Sequence, residues 1–552
     1  MQSLFSTLDF SERGFFASSV LCIQFSLLYM SASKILWIDD QIDSLRPFII
    51  LLEKQYVVKT ATSGLEGIEL FKTETFDLVF LDHNMIGMSG LETLAELKFI
   101  NPAVPVVMVT QEEDEDVLRS AYGHRVDDYI VKPIRAIQIT STCTKFLGSK
   151  ALVMRQLNES YIRDYTDLSR KILMEPDWNE WVEIYEKLVA WNIEFDKHTG
   201  SGSEETMVAL WKDANKGFSK FVEREYKHWA QAPEGTDRSP VLSPKVMEKF
   251  VFPLLADKKP VYVFILDCLR LDQWIVIENI IRPLFDTIKR DTYLSIIPTA
   301  TPYARNAIFA GLFPADIQKH YPQWWVDGSG EDTSQNRFEK ELLMKLIERK
   351  RLPVQRVGYE KIHDKDYGEK IANKIVDFRS NQITTVVINF LDMIAHSRSD
   401  YAILKTIAPD ESAYRSLTES WFKHSSFYTM LQKLAQTDSH IIVTTDHGAI
   451  RCLHGTIVRG NRDTSTCLRF KFGQNVQANE RNVAMHIDKL DDYKLPKGSV
   501  TTNYVVAKED YYFVYPTNQN DYLNKYLDSF QHGGISLEEM IVPVITMTTK
   551  KN

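Results

Sequence analysis

From Lys34 onward the chain alternates short apolar runs with longer amphipathic stretches. The runs KILWI, VVKTA, DLVFL, VPVVMV and DDYIV each have the length of a strand, and the intervals between them leave room for a helix. That rhythm predicts a five-stranded parallel α/β domain over residues 30–150. From residue 151 to about 231 the strand pattern stops. Trp178, Trp181, Ile184, Tyr185, Leu188 and Trp191 recur there at helical spacing, which predicts a helical bundle with these side chains in its core. The segment APEGTDRSPVLSP, ending at Pro244, is rich in Pro, Ser, Gly and charge and reads as a linker, so bundle and linker together take residues 151–244. Beyond it, continuous apolar runs at 261–266, 385–391 and 441–444 predict buried parallel strands of a second α/β domain, residues 245–552. Each run ends at an acidic residue, which would place Asp267, Asp392 and Asp446 at strand C-terminal ends, where open α/β sheets bind ligands.

Residues 15–30 (FFASSVLCIQFSLLYM) are apolar, but shorter than the ~20 residues a membrane helix needs. They follow Asp9, Glu12 and Arg13 rather than a cationic segment, and no small-residue cleavage site precedes the fold. Residues 1–29 therefore read as an N-terminal extension from a mis-assigned start, with translation beginning at Met30 and no membrane span. A composition of 44% hydrophobic and 25% charged residues excludes a disordered or fibrous chain. The net charge of -9 excludes a broadly basic surface for nucleic acid. Five scattered cysteines without a Cys-x-x-Cys pair argue against a thiolate zinc site and fit a reducing, cytoplasmic location.

Polar groups gather at the ends of the first five strands. Asp39 and Asp40 follow the first, Asp82 the third and Thr110 the fourth, and Lys132 follows the fifth. A carboxylate can attack a phosphoryl donor only if a divalent cation screens it from the phosphoryl oxygens. Asp39, Asp40, Asp82 and the backbone carbonyl of Asn84 would hold Mg²⁺, an ion that prefers hard oxygen ligands. Lys132 and Thr110 would contact the phosphoryl group that Asp82 accepts. KILWIDD, FDLVFLDHNMIGMSGLE, VVMVT and YIVKPI resemble the successive motifs of a response-regulator receiver domain, a flavodoxin-like fold. The resemblance implies phosphorylation on Asp82, switch residues at Thr110 and Tyr129, a sensor histidine kinase as donor, and homodimerisation on phosphorylation.

The expected output for such a receiver is a basic helix-turn-helix, and none is evident. Instead the second α/β domain carries Asp267, the pair Asp392 and His396 four residues apart, the adjacent Asp446 and His447, and His532 in QHGGISLEE. Spacing of four puts Asp392 and His396 on one side of a helical turn. Six imidazole and carboxylate groups plus one further oxygen can serve two tetrahedral zinc ions. Thr301, in IIPTATPYARNAIFAG, is the candidate for that oxygen and for a nucleophile; Thr299 lies close enough to be confused with it. Arg270, Arg305 and Asn306 are candidates for gripping non-bridging phosphate oxygens. Arg451, Arg459, Arg462 and Arg469 form a further candidate rim for a nucleotide or oligonucleotide backbone, and residues 464–530 an insert that could serve as a lid.

In this order the motifs resemble the alkaline phosphatase superfamily, most closely its PglZ-type branch. The resemblance implies that Asp267, Asp446 and His447 hold one zinc and Asp392, His396 and His532 the other. Thr301 would attack phosphorus to give a phosphothreonine that water then hydrolyses. Receiver, helical bundle and PglZ-type domain together resemble the PorX-type family of atypical response regulators. That implies a role in type IX secretion and gliding, a PorY-type sensor kinase and a sigma-factor partner. The whole reads as an α/β multidomain response regulator that controls a zinc-dependent phosphoesterase, with a phosphodiester favoured over a monoester. The alternative is a phosphorylation-dependent signalling scaffold with a zinc-stabilised, non-catalytic output domain. A transcription factor is disfavoured by charge and by the missing recognition helix.

Overall fold

The computed structural model describes residues 33–111, 126–197, 204–232, 239–326, 336–400, 407–461, 465, 467–498, 501–517 and 519–549. The N-terminal extension 1–29 and Arg462 lie outside the described residues. The chain divides into two compact units, residues 1–165 with 198–206 and residues 166–197 with 207–552.

In the first unit β1 (Lys34–Ile38), β2 (Val57–Ala61), β3 (Leu78–Asp82), β4 (Val106–Thr110) and β5 (Asp128–Val131) form one parallel sheet in the order β2-β1-β3-β4-β5. The connecting helices include α1 (Arg46–Leu52), α2 (Gly64–Thr73), α3 (Gly90–Ile100) and α4 (Ala136–Cys143). The unbroken apolar runs follow from burial on both faces. Along β1, Leu36 and Ile38 enter one core with Val79, Leu81 and Leu97, while Ile35 and Trp37 enter the other with Phe80, Val107 and Ile139.

In the second unit α6 (Trp178–Lys197) and α7 (Glu204–Gln231) pack with the end of α5 (Ser149–Leu173). Trp181, Ile184, Tyr185 and Leu188 are buried, and the Trp181 ring meets Phe218 edge to face at 5.6 Å. The main sheet has six strands in the order β7-β13-β10-β6-β9-β8: β6 (Val261–Leu266), β7 (Phe285–Leu294), β8 (Val357–Ile362), β9 (Ile383–Ile388), β10 (His440–Thr444) and β13 (Ile541–Thr549). β10, β6, β9 and β8 run parallel; β13 is antiparallel to β10 and β7. Tyr262, Phe264 and Leu266 point into one core and Val261, Val263 and Ile265 into the other, the same two-faced burial as in β1. Helices that position the site are α8 (Leu271–Ile281), α9 (Thr301–Ala310), α10 (Glu339–Arg349), α11 (Phe390–Asp400) and α12 (Glu411–Lys423). A short pair, β11 (Ile450–Cys452) with β12 (Ser529–Gln531), brackets the inserted segment. That segment is largely β-structure, with strands Phe470–Gln474, Ala484–Ile487 and Thr502–Ala507 forming one small sheet.

One expectation is corrected. The strand ends at Ile388, and Phe390 already belongs to α11, so Asp392 sits in the first turn of a helix and not at a strand end. The apolar residues of strand and helix abut in TVVINFL, where composition alone does not separate them. Among the described residues no helix is long and apolar enough to cross a membrane.

Candidate functional site

At the C-terminal edge of the first sheet Asp39, Asp40 and Asp82 converge, each offering an oxygen within 4.8 Å of the others. Lys132 Nζ stands 2.9 Å from Asp82 Oδ1 and 3.2 Å from Asp39 Oδ2. Asp39 also accepts from the Gln41 amide at 2.8 Å, and Asp40 from the Ile86 amide at 3.2 Å. Burial pushes the Asp82 carboxyl above its ordinary value, the Asp39 and Asp40 charges add to the push, and Lys132 opposes it. Three carboxylates against one ammonium leave excess negative charge, and that oxygen-only set suits Mg²⁺. Thr110 is buried at the end of β4, Tyr129 half-buried on β5, and Asn84 exposed just after β3.

The second unit brings the other six candidate ligands into two triplets, Asp267 with Asp446 and His447, and Asp392 with His396 and His532. The triplets adjoin, since the His447 and His532 rings stack at 4.1 Å. His396 Nε2 and His532 Nε2 are 2.9 Å apart, and each lies 3.3 Å from Asp392 Oδ1. Ligand atoms around a tetrahedral zinc with ~2.0–2.1 Å bonds are separated by roughly 3.3 Å, so this triangle has the edge lengths of such a site. His532 Nδ1 donates to the Thr299 carbonyl at 3.2 Å, which leaves the Nε2 lone pair turned toward His396. A cation between the two nitrogens satisfies both.

In the other triplet His447 Nδ1 donates to the Gly448 carbonyl at 3.1 Å, again freeing Nε2 as a ligand atom. Burial holds this imidazole down to about 4, so it is neutral at physiological pH. Burial also pushes Asp446 up to about 6, with the Asp267 charge adding to it, and Asp446 Oδ2 is buried and accepts no hydrogen bond from any described residue. Buried acceptors short of donors are what a metal centre would satisfy. The turn that aims Asp446 and His447 inward needs glycine next, because a Cβ on Gly448 would lie 2.0 Å from the Glu538 carbonyl oxygen. Gly533, after His532, has φ +114° and is likewise restricted to glycine.

Thr301 is the first residue of α9, and its hydroxyl lies 3.0 Å from His447 Nε2 and 3.3 Å from Asp267 Oδ1. The neighbouring Thr299 is occupied otherwise: its hydroxyl donates to the Gly534 carbonyl at 2.8 Å and accepts from the Gly533 amide at 3.1 Å. Arg305, one turn into α9, is ion-paired at 2.7 Å with both Asp267 and Glu339, and stands 3.7 Å from Asp446.

Several sequence candidates are placed elsewhere. Arg270 is 2% exposed, with its guanidinium held by Asp272 at 2.7 and 2.9 Å and by Glu411 at 2.6 Å, so it is a structural cation and not a substrate clamp. Asn306 donates to the Pro302 carbonyl at 2.9 Å and accepts from Asn336 at 3.1 Å, which engages both ends of its amide. Arg469 is fully buried against Glu539 at 2.6 Å, and Arg451 is half-buried against Asp528, so the expected arginine rim does not form among the described residues; Arg459 alone of its described members is exposed. Residues missed from the sequence include Glu339, Asn336 and Glu538. Their partners at the site, Arg305 for Glu339, Thr301 for Asn336 and Asn215 for Glu538, lie 34, 35 and 323 residues away, and no local spacing announces them.

Glu538 is buried beneath Trp211 and Asn215, and burial pushes its carboxyl up to about 7. A folded value above the unfolded one means that its contribution is fully present below about pH 4.3 and fades as pH rises through 7. Glu538→Gln should therefore gain on the wild type in unfolding free energy, read from chemical denaturation, between pH 5 and 8, by at most about 3 kcal/mol. Parallel pH curves would show that the carboxylate is already ionised in the fold.

A receiver-type acidic cluster on one sheet and an alkaline phosphatase-like array of Asp and His on another define a response regulator whose output domain is phosphatase-like. Comparison bears this out. Residues 35–144 match the response regulator receiver domain, residues 151–230 the PorX response regulator linker domain, and residues 246–547 the BREX system PglZ alkaline phosphatase-like domain. The last match spans more than half of the chain, which belongs to the PglZ alkaline phosphatase-like family, here in the PorX-type response-regulator architecture.

Among curated relatives, the transcriptional regulatory protein ZraR of Klebsiella oxytoca is 34% identical over 131 residues, 24% of this chain and 28% of that protein. The alginate biosynthesis transcriptional regulatory protein AlgB of Pseudomonas aeruginosa is 26% identical over 220 residues, 40% of this chain and 46% of that protein. The chain thus spans less than half the length of these curated relatives. Among solved structures, a receiver domain protein from Clostridium thermocellum is 31% identical with a TM-score of 0.21, covering 22% of this chain and 98% of that one. TrrA of Thermotoga maritima, in complex with Mg²⁺ and BeF, is 26% identical with a TM-score of 0.19, covering 21% and 98%.

Proposed function

We propose that the output domain is a zinc-dependent phosphoesterase acting on a phosphodiester of nucleotide type, and that phosphorylation of Asp82 sets its activity or its dimerisation. The observation that carries this reading is the Thr301 hydroxyl, 3.0 Å from His447 Nε2 and 3.3 Å from Asp267 Oδ1, beside two adjoining triplets of metal-type side chains. Asp267, Asp446 and His447 would hold one zinc, and Asp392, His396 and His532 the other. Bound zinc supplies Lewis-acid charge and lowers the pKa of a coordinated hydroxyl. Thr301 Oγ1, deprotonated, attacks phosphorus in line; the new P–O bond forms as the ester P–O bond breaks and the leaving oxygen departs on the far side. The N-terminal end of α9, where Thr301 sits, favours the negative charge of the transferring group. Arg305 holds Asp267 in place and offsets the carboxylate charge. Water then attacks the phosphorus of this Thr301-linked diester, the Oγ1–P bond breaks, the monoester leaves with the water's oxygen, and Thr301 Oγ1 regains a proton from that water.

On the reading proposed, the phosphodonor would be a sensor histidine kinase of the PorY type, the setting cytoplasmic regulation of type IX secretion and gliding, and a sigma factor a further partner; what supports it is the match to a PorX-type linker between receiver and output. In the receiver, Asp39, Asp40 and Asp82 would hold Mg²⁺, and Thr110 and Tyr129 would switch on phosphorylation. The test is zinc content together with hydrolysis of bis(p-nitrophenyl) phosphate, before and after chelation, with Asp82→Ala alongside. The wild type should hold two zinc ions, lose hydrolysis on chelation and regain it with zinc. Acetyl phosphate with Mg²⁺ should alter its rate or dimer fraction but leave Asp82→Ala unchanged. Two bound zinc ions without any hydrolysis would establish the scaffold instead.

A further inference from the structure

Helix α7, which ends in the linker match and not in the PglZ match, presents one polar stripe to the metal centre's supporting loops. Trp211, Asn215, Ser219 and Tyr226 follow one another at intervals of four, four and seven, the spacing of a single helical face. Trp211 Nε1 donates to Glu538. Asn215 donates to both Glu538 oxygens at 3.1 and 3.3 Å and accepts from the Leu537 amide at 2.8 Å. The Ser219 hydroxyl donates to the Ile535 carbonyl at 3.3 Å, and the Tyr226 hydroxyl accepts from the Ile297 amide at 3.0 Å.

The receiving groups are not scattered. Ile535, Leu537 and Glu538 lie just after His532, and Ile297 lies four residues before Thr301. The two loops are tied to each other by Thr299, whose hydroxyl and carbonyl meet Gly533, Gly534 and His532. A second route from the bundle reaches the same place. Asn192 and Asp196 of α6 hold Arg415 at 2.6 to 2.9 Å; Arg415 holds Asp272 at 3.0 Å; Asp272 holds Arg270, which lies over the ring of Phe530, two residues before His532. Asn215, Ser219 and Tyr226 are all buried, so water cannot replace a lost partner.

We infer that α7 is a positioning element of the catalytic centre, with Asn215 and Tyr226 as its principal residues, so that the linker completes the enzyme rather than merely spacing its domains. This rests on the zinc-phosphoesterase reading. Residues that orient metal ligands from outside the coordination shell typically change metal affinity or activity by ~10–100-fold when removed.

The test uses the full-length, zinc-loaded chain carrying Asn215→Ala, Tyr226→Phe or the exchanged pair Asn215→Asp with Glu538→Gln. Zinc affinity is read by competition with a chromophoric chelator, kcat and KM with bis(p-nitrophenyl) phosphate, and folding by the thermal midpoint. Each single variant should weaken the looser zinc site by ~10–100-fold and lower kcat to match, with KM changed by less than about threefold. The exchanged pair, which restores donor and acceptor in reverse, should recover most of both. Variants that melt earlier yet keep wild-type zinc affinity and kcat would reduce α7 to packing and overturn the inference, as would variants that change nothing. Weakened zinc binding in a chain that hydrolyses nothing would sustain the positioning role while sinking the proposed activity. A wild type that binds no zinc overturns both.

Discussion

Thr301→Ala should lower kcat on a phosphodiester by at least roughly a thousandfold, the scale on which removal of an attacking side chain acts, and should leave the zinc content at the wild-type level. The substitution removes one hydroxyl and a methyl group while Asp267, Asp446 and His447 stay in place. Thr299→Ala should behave differently. Its hydroxyl joins the Gly533 amide to the Gly534 carbonyl, so its loss should loosen the His532 loop and weaken zinc binding instead of abolishing the chemical step alone. Steady-state kinetics with metal analysis on both variants separates the nucleophile from its neighbour. A Thr301→Ala protein with wild-type kcat would end the phosphothreonine mechanism.

Arg305→Met should destabilise the metal-free protein by about 3–5 kcal/mol, the usual cost of removing one partner from a buried ion pair. Asp267 and Glu339, each 2.7 Å from the guanidinium, would be left as buried carboxylates. Lys361 approaches Glu339 only to 3.7 Å and cannot substitute for the arginine at Asp267. Zinc should restore part of the loss, since it binds the folded chain and neutralises Asp267. Adding zinc should therefore narrow the gap between the denaturant midpoints of the variant and the wild type. An unchanged metal-free midpoint would show that Asp267 and Glu339 are neutral in the fold.

The first sheet and the central strands of the second were legible in the sequence, the central strands because they are buried on both faces, whereas the edge strands β7 and β8, partly exposed and polar, gave no continuous apolar run. In ILWI and VYVFIL no charged position interrupts the apolar run. The candidate ligand set was legible for a chemical reason: Asp392 with His396, and Asp446 with His447, pair a carboxylate and an imidazole at spacings that put both on one side of a turn. Strand composition misplaced Asp392, since Asn389 is the only break between β9 and α11. Charge was the least legible property. Arg270 and Arg469 lie near the site in sequence, yet Glu411 and Glu539, which hold them, are more than 60 residues away. The stripe on α7 was invisible for the same reason: Asn215 and Glu538 are separated by 323 residues.

That stripe bears on how such a chain can be recombined. A cassette cut at the PglZ boundary, residue 246, would carry all six candidate zinc ligands and Thr301 but leave the Leu537 and Ile297 amides without the acceptors that α7 provides. Gene fusions that transplant this output onto another sensory domain are thus constrained to inherit residues 207–231 with it. The inherited piece of the regulator is longer than the piece that looks like the enzyme.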